Sequence, residues 1–317
     1  MRASGLGLRA SARVGVIVLA LWAGAARADS ITVGLFAPSA PFPSTAARVE
    51  LASKLAEQIG AELHVTASGK VFARASDFAE AVKRGEIAVA LVDATYLATS
   101  GGGYTILAGD APHAWHLVAH GGKIESPGSA GTRSDAERRG GQIDALRGKK
   151  VLVPAFGGRE AEFVLNALLG GEVARDYFAK IEPAPDTASA LAALGLGHAE
   201  AAIVPVGVEL PPGVSEVLAL PQVAGPVLVA YGPLSAERKA ALVAAATGLH
   251  GDATIAGFRA VEPDAVRRLA ARFAPIVKRG PLAVPAIRLL VGDLVEGRTL
   301  AIERTPPNAF AIVPERK

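Results

Sequence analysis

The chain contains no cysteine. That absence excludes disulfides, zinc–thiolate sites, a cysteine nucleophile and a lipid-modified amino-terminal cysteine. Aromatic residues make up only 5% of the 317 positions, too few for a carbohydrate site built on stacked rings. The apolar run near the amino terminus, "VGVIVLALWAG" (Val14 to Gly24), has 11 residues, whereas a membrane-spanning helix needs about 20. Arg2, Arg9 and Arg13 precede it and Ala26-Arg27-Ala28 follow it, so it reads as the core of a secretory signal cleaved after Ala28. The leader holds four arginines and no acid, so its removal takes the formal charge from +3 to −1. The positive excess therefore belongs to the leader, and nothing global favours nucleic acid or anionic lipid as a partner. A basic stretch between Lys123 and Lys150 is interrupted by acids, lacks interleaved aromatics, and reads as solvated surface. A signal without cysteine points to a soluble protein exported to a bacterial periplasm.

What is present is alternation. Ile31 to Ala37 ("ITVGLFA") is a near-continuous apolar strand, and Thr45 to Ile59 is a helix with Ser44 in the N-cap position. "AELHVTAS" reads as a second strand, "SDFAEAVKRG" as a short helix with Ser76 as its cap, and "IAVALVDATYLA" as a third strand. The second half repeats the plan: strand "KKVLVPAF", helix "REAEFVLNALLGG", strand "AKIEPAPD", helix "TASALAALGLG", strand "AEAAIVPVGVEL". Two copies of one α/β pattern predict two similar lobes, each with a parallel sheet covered on both faces. Between the copies, Gly121 to Gly141 is rich in Gly, Ser and charge and reads as a surface excursion. After them, "PQVAGPVLVAYG" is a strand crossing back to the first lobe, followed by two helices. The expected organisation is a leader over 1–28, lobe one over 29–112, lobe two over 113–225, a return to lobe one over 226–280, and an extension over 281–317.

The mature opening "ITVGLFAPSAPFPSTAARVELASKLAEQIG" resembles a known family, as do the blocks "FAEAVKRGEIAVALVDATYLA", "LRGKKVLVPA", "LAALGLGHAEAAIVPVG" and "IAGFRAVEPDAVRRLAARF". They are similar to the periplasmic solute-binding proteins of ABC importers, of the phosphate/phosphite/phosphonate type, over about 31–273. The resemblance implies the type 2 periplasmic-binding-protein fold: two Rossmann-like α/β lobes joined by crossing hinge strands. It also implies a small anionic ligand held in the cleft, an ABC-transporter permease as partner, a monomer, and no enzymatic activity or cofactor. The alternative is a ligand sensor or a partner-docking envelope protein on the same fold.

In open α/β sheets the crevice lies beyond the carboxyl ends of the strands, where helix N-termini present unpaired N–H groups to anions. In lobe one those positions are Phe42, Ser44 and Thr45, where Ser44 serves either as a cap or as a cleft hydroxyl, and Asp93, Thr95 and Tyr96 after the third strand. In lobe two they are Phe156, Gly157, Gly158 and Arg159. Here the pattern departs from the family, which commonly presents consecutive Ser and Thr residues. Two glycines still let backbone N–H groups approach an anion, and Arg159 is either a bidentate donor or a solvent-exposed partner of Glu160 or Glu162. Pro205 and Val206 stand where Asp93 and Ala94 stand in the first copy. His113, Trp115, His116 and His120 cluster without a carboxylate or cysteine at ligand spacing, so no metal site is expected and they read as hinge residues. "GGRE" lacks the Gly-Lys-Ser/Thr of a phosphate-binding loop.

Overall fold

The computed structural model describes residues 30–120, 146–249, 255, 257–262 and 264–275. The leader, most of the basic stretch and the extension over 281–317 lie outside the described residues. The first sheet has the order β2-β1-β3-β10-β4, with β1 Ser30–Phe36, β2 Thr66–Val71, β3 Val89–Val92, β4 Tyr104–Gly109 and β10 Val227–Tyr231. The second has the order β7-β6-β8-β5-β9, with β5 His113–His120, β6 Lys150–Pro154, β7 Lys180–Ala184, β8 Ala201–Pro205 and β9 Val214–Val223. The two orders match position by position. In each sheet the fourth strand is the one that has just crossed from the other lobe, β10 in the first and β5 in the second.

The sheets are mixed rather than parallel. β1 pairs in parallel with β2 and β3, but β10 runs antiparallel to β3 and β4, and β5 antiparallel to β8 and β9. The crossover residues meet closely: a Cβ at Gly225 would stand 2.3 Å from the carbonyl oxygen of Ala111, so only glycine fits there.

Helix α1 (Thr45–Leu63) buries Leu51, Ala52, Leu55, Ala56 and Ile59, one stripe at helical spacing, and its C-cap His64 takes the left-handed conformation. It therefore overruns the expected second strand, which begins only at Thr66. Helix α2 (Ala75–Lys83) starts from Arg74, with Ser76 inside it rather than at the cap. The expected third strand is half helix: β3 stops at Val92 and α3 (Ala94–Ser100) begins two residues later. In lobe two, α4 (Glu160–Glu162) continues directly into a π-helical segment, Phe163–Leu168. Helices α5 (Thr187–Gly195), α6 (Ala236–Thr247) and α7 (Ala265–Arg272) complete the described elements.

The outer face of each sheet has its own apolar cluster, around Leu55, Ile59 and Leu228 in lobe one and around Leu152, Leu191 and Val204 in lobe two. A third cluster runs continuously from one lobe into the other, from Phe36, Phe78 and Tyr96 to Trp115, Phe156 and Phe163. Helix α7 ties the same two bodies: the carbonyl of Phe273 just beyond it accepts from Asn166 Nδ2 at 2.9 Å, and the Arg272 guanidinium donates to the Ala167 carbonyl. At the centre of the lobe-one part, Phe78 is fully buried and its ring meets those of Phe36, Phe72, Tyr96 and Tyr231 at 5.2–6.2 Å. Phe78→Ala is expected to cost about 3–5 kcal/mol, read as a lower urea midpoint at unchanged slope; a loss under about 1 kcal/mol would show that this packing carries little.

Candidate functional site

The carboxyl ends of β1 and β3 meet those of β6 and the turn before α5 along one seam between the lobes. Loop 37–44 leaves β1 and crosses that seam. Ser44 caps α1, its Oγ accepting from the Ala47 N–H at 3.2 Å. Ser44 and Thr45 are exposed, so the cap reading accounts for Ser44. Phe42 is buried beneath the Arg48 guanidinium, which lies 5.6 Å from its ring centroid. With Pro41, Thr187, Leu191 and Pro211 it lines an inter-lobe pocket of about 550 Å³.

Arg48 is a charged residue on the apolar stripe of α1, three and seven positions before Leu51 and Leu55. Its guanidinium pairs with Asp186 of lobe two at 3.1 Å, the side chains being 9% and 17% exposed. Asp186 also caps α5, accepting from the Ser189 N–H at 2.7 Å. The next residue, Thr187, donates its N–H to the Pro38 carbonyl at 3.1 Å, and its hydroxyl lies 3.3 Å from the carbonyls of both Pro38 and Ser39. Ser39 in turn donates its N–H to Asp93 Oδ2 at 2.7 Å. One connected path thus leads from a helix N-terminus in lobe two to a buried carboxylate in lobe one.

Asp93 does not sit on an open rim. It is 1% exposed, and its Oδ1, like the Oγ1 of neighbouring Thr95, accepts no hydrogen bond from the protein. Burial raises its pKa from 3.8 to about 6, opposed by the Ser39 N–H and by the positive fields of His113 and Arg48. The ring of Tyr96 packs edge-on against Phe36 and Phe78 at 5.1 and 5.6 Å, and burial pushes its phenol upward, so it stays neutral. On the other side of the seam, a Cβ at Gly157 would come within 3.4 Å of the Tyr96 ring and 3.5 Å of Thr99 Oγ1. The lobe-two turn thus meets α3 of lobe one.

Gly157 and Gly158 have φ of 129° and 98°, a left-handed backbone that curls successive N–H groups inward. The N–H groups of Phe156, Gly157 and Gly158 all donate to Oε1 of Glu160, at 2.9, 3.1 and 3.1 Å, and Glu160 is 6% exposed. The backbone N–H groups expected to approach an anion in this turn thus converge on the chain's own Glu160 carboxylate. Phe156 faces the core, with its ring 5.1 Å from Phe163. Arg159, expected either as an anion donor or as a solvent partner of Glu160 or Glu162, instead lays its guanidinium 5.3 Å over the Phe273 ring. Sequence reasoning missed Ser39, Arg48, Glu160, Asp186 and Thr187; the available signal was a lone arginine on an apolar helix stripe. The strand histidines have separate partners: His113 with Asp110 at 2.9 Å, His116 with Glu216 at 3.0 Å, and His120 with the Leu194 carbonyl at 2.8 Å. Trp115 packs on Phe163 inside lobe two, with ring centroids 5.1 Å apart.

The raised pKa of Asp93 has a definite sign. Folded protein holds this proton more tightly than the unfolded chain, so the contribution is fully present below 3.8 and is lost as pH rises through about 6. Two units correspond to about 3 kcal/mol. Asp93→Asn keeps an acceptor for Ser39 without the charge, so it is expected to gain stability relative to wild type by up to about that amount between pH ~4 and pH ~7. Urea denaturation of both proteins at the two pH values measures it, and an equal difference at both would contradict the burial of charge at Asp93.

No family model matches the chain, and no curated protein matches it. Solved structures do. PhnD1 from Prochlorococcus marinus in complex with methylphosphonate superposes with a TM-score of 0.59 at 11% identity, covering 77% of this chain and 96% of that one. A binding-protein component of an ABC phosphonate transporter from Pseudomonas aeruginosa gives 0.56 at 13% identity, covering 76% and 85%. A Xanthomonas citri protein bound to ATP gives 0.56 at 11% identity, covering 77% and 96%. The chain thus has the two-lobed α/β fold of periplasmic binding proteins.

Proposed function

We propose that this protein is a periplasmic solute-binding protein, exported through its amino-terminal signal, that closes two lobes on a small phosphate- or phosphonate-like anion and delivers it to an ABC-importer permease. The observation that carries this reading is the lobe-two turn: three convergent backbone N–H groups already hold an oxygen anion, at a point where the turn meets α3 of lobe one. The fold likeness supports it, since two of the superposing structures are described by phosphonate binding or transport. In this reading the solute meets Thr95, Tyr96, Gly157 and Gly158, with Arg48 as the nearby cation. Binding rather than catalysis is the reading the fold likeness supports, since two of the superposing structures are described by a bound methylphosphonate or as a binding-protein component of a transporter. Among the described residues, no helix is long and apolar enough to cross a membrane.

A second reading has one observation in its favour. Glu160 and Asp186 occupy the donors that an anion would use, which suits a sensor or a docking protein that works without solute. Thermal melting of the mature protein with phosphate, phosphite, methylphosphonate, sulfonates and carboxylates separates the two. A solute at 100 times its Kd is expected to stabilise by about 2.7 kcal/mol and raise Tm by about 4–5 °C. No shift with any of them, together with a co-purifying envelope protein, would overturn the solute-binding reading.

A further inference from the structure

The bonds across the seam need no solute to complete them. A ligand anion bridging two lobes would have to accept from a cation on one lobe and from backbone N–H groups on the other, and Asp186 does both. One of its oxygens meets Arg48 of lobe one at 3.1 Å and the other accepts from the Ser189 N–H of lobe two at 2.7 Å. Glu160 fills the three N–H donors of the lobe-two turn. Thr187 adds direct hydrogen bonds to the Pro38 and Ser39 carbonyls, and the apolar cluster passes unbroken from Tyr96 to Phe156. We propose that Asp186 and Glu160 are built-in ligand anions that hold the two lobes closed with no solute present, and that a free oxyanion enters by displacing them.

Energetically the clasp depends on its ion pair. A guanidinium cannot deprotonate, so Arg48 at 9% exposure must be either paired or exposed to water. Neutralising Asp186 therefore favours the open form, in which Arg48 is hydrated, and leaves Arg48 free for an incoming anion. Glu160 acts as a competitor for the turn in the same way. This inference rests on the solute-binding reading only in its second half; closure without solute stands by itself.

The test uses the mature protein and three variants: Asp186→Asn, in which asparagine still caps α5, Glu160→Gln, and the double variant. Small-angle X-ray scattering without solute is expected to fit the closed form for wild type and to give a larger radius of gyration for Asp186→Asn. Titration with inorganic phosphate and with methylphosphonate is expected to show at least tenfold tighter binding by the double variant than by wild type, a 1.4 kcal/mol gain. A solute-free wild type that scatters as an open form, or an Asp186→Asn protein as compact as wild type, overturns the clasp. A double variant that binds no tighter than wild type overturns displacement. Opening of Asp186→Asn with no anion bound by any of the four proteins upholds the clasp and refutes the oxyanion solute instead, so the two failures are distinguishable.

Discussion

A guanidinium taken out of water has to find a carboxylate, and in this protein Arg48 finds one on the opposite lobe. Much of the seam follows from that requirement. Arg48 lies on the buried stripe of α1, over Phe42, and loop 37–44 has to pass close by to connect β1 with that helix. Asp186 meets Arg48 from the N-terminus of α5, so Thr187 arrives against the carbonyls of Pro38 and Ser39. Ser39 then has its N–H directed at Asp93, and the last link of the path is a carboxylate that burial drives toward its neutral form.

The second constraint is the set of N–H groups left over where helices begin. Helix N-termini in this fold converge on one crevice, and buried donors without acceptors are costly. A carboxylate is chemically the same kind of acceptor as a small oxyanion. Glu160 and Asp186 satisfy these donors with groups from the chain itself, and Gly157 and Gly158 allow the three N–H groups of the turn to point at one oxygen. The N–H groups that could serve a small oxyanion are thus taken up by carboxylates of the chain.

The alternation of strands and helices and the repetition of one plan were legible in the sequence, because an apolar stripe or run records which face of an element is buried. The places where that reading strayed share a cause. "IAVALVDATYLA" is apolar apart from Asp93 and Thr95, and periodicity alone does not separate β3 from the helix beginning at Ala94. "AELHVTAS" reads as a strand, whereas Ile59 and Gly60 continue the buried stripe of α1 and the helix runs on to Leu63. The antiparallel strands β4, β5 and β9 complete the two sheets by pairing with partners far along the chain, and nothing in their own composition names those partners.

The sequence by itself determined the fold class, the two-lobed plan and the buried faces of most of its helices, since each is a local pattern of burial, capping and turn residues. Only the tertiary structure decided which groups face each other there. Arg48 and Asp186 are far apart along the chain, and Arg159 and Glu160 are adjacent yet end on an aromatic ring and in a ring of N–H groups respectively. Local sequence specifies what an element buries; the partner of a buried charge is set by topology, because it depends on which distant element the folded sheets bring within hydrogen-bonding distance.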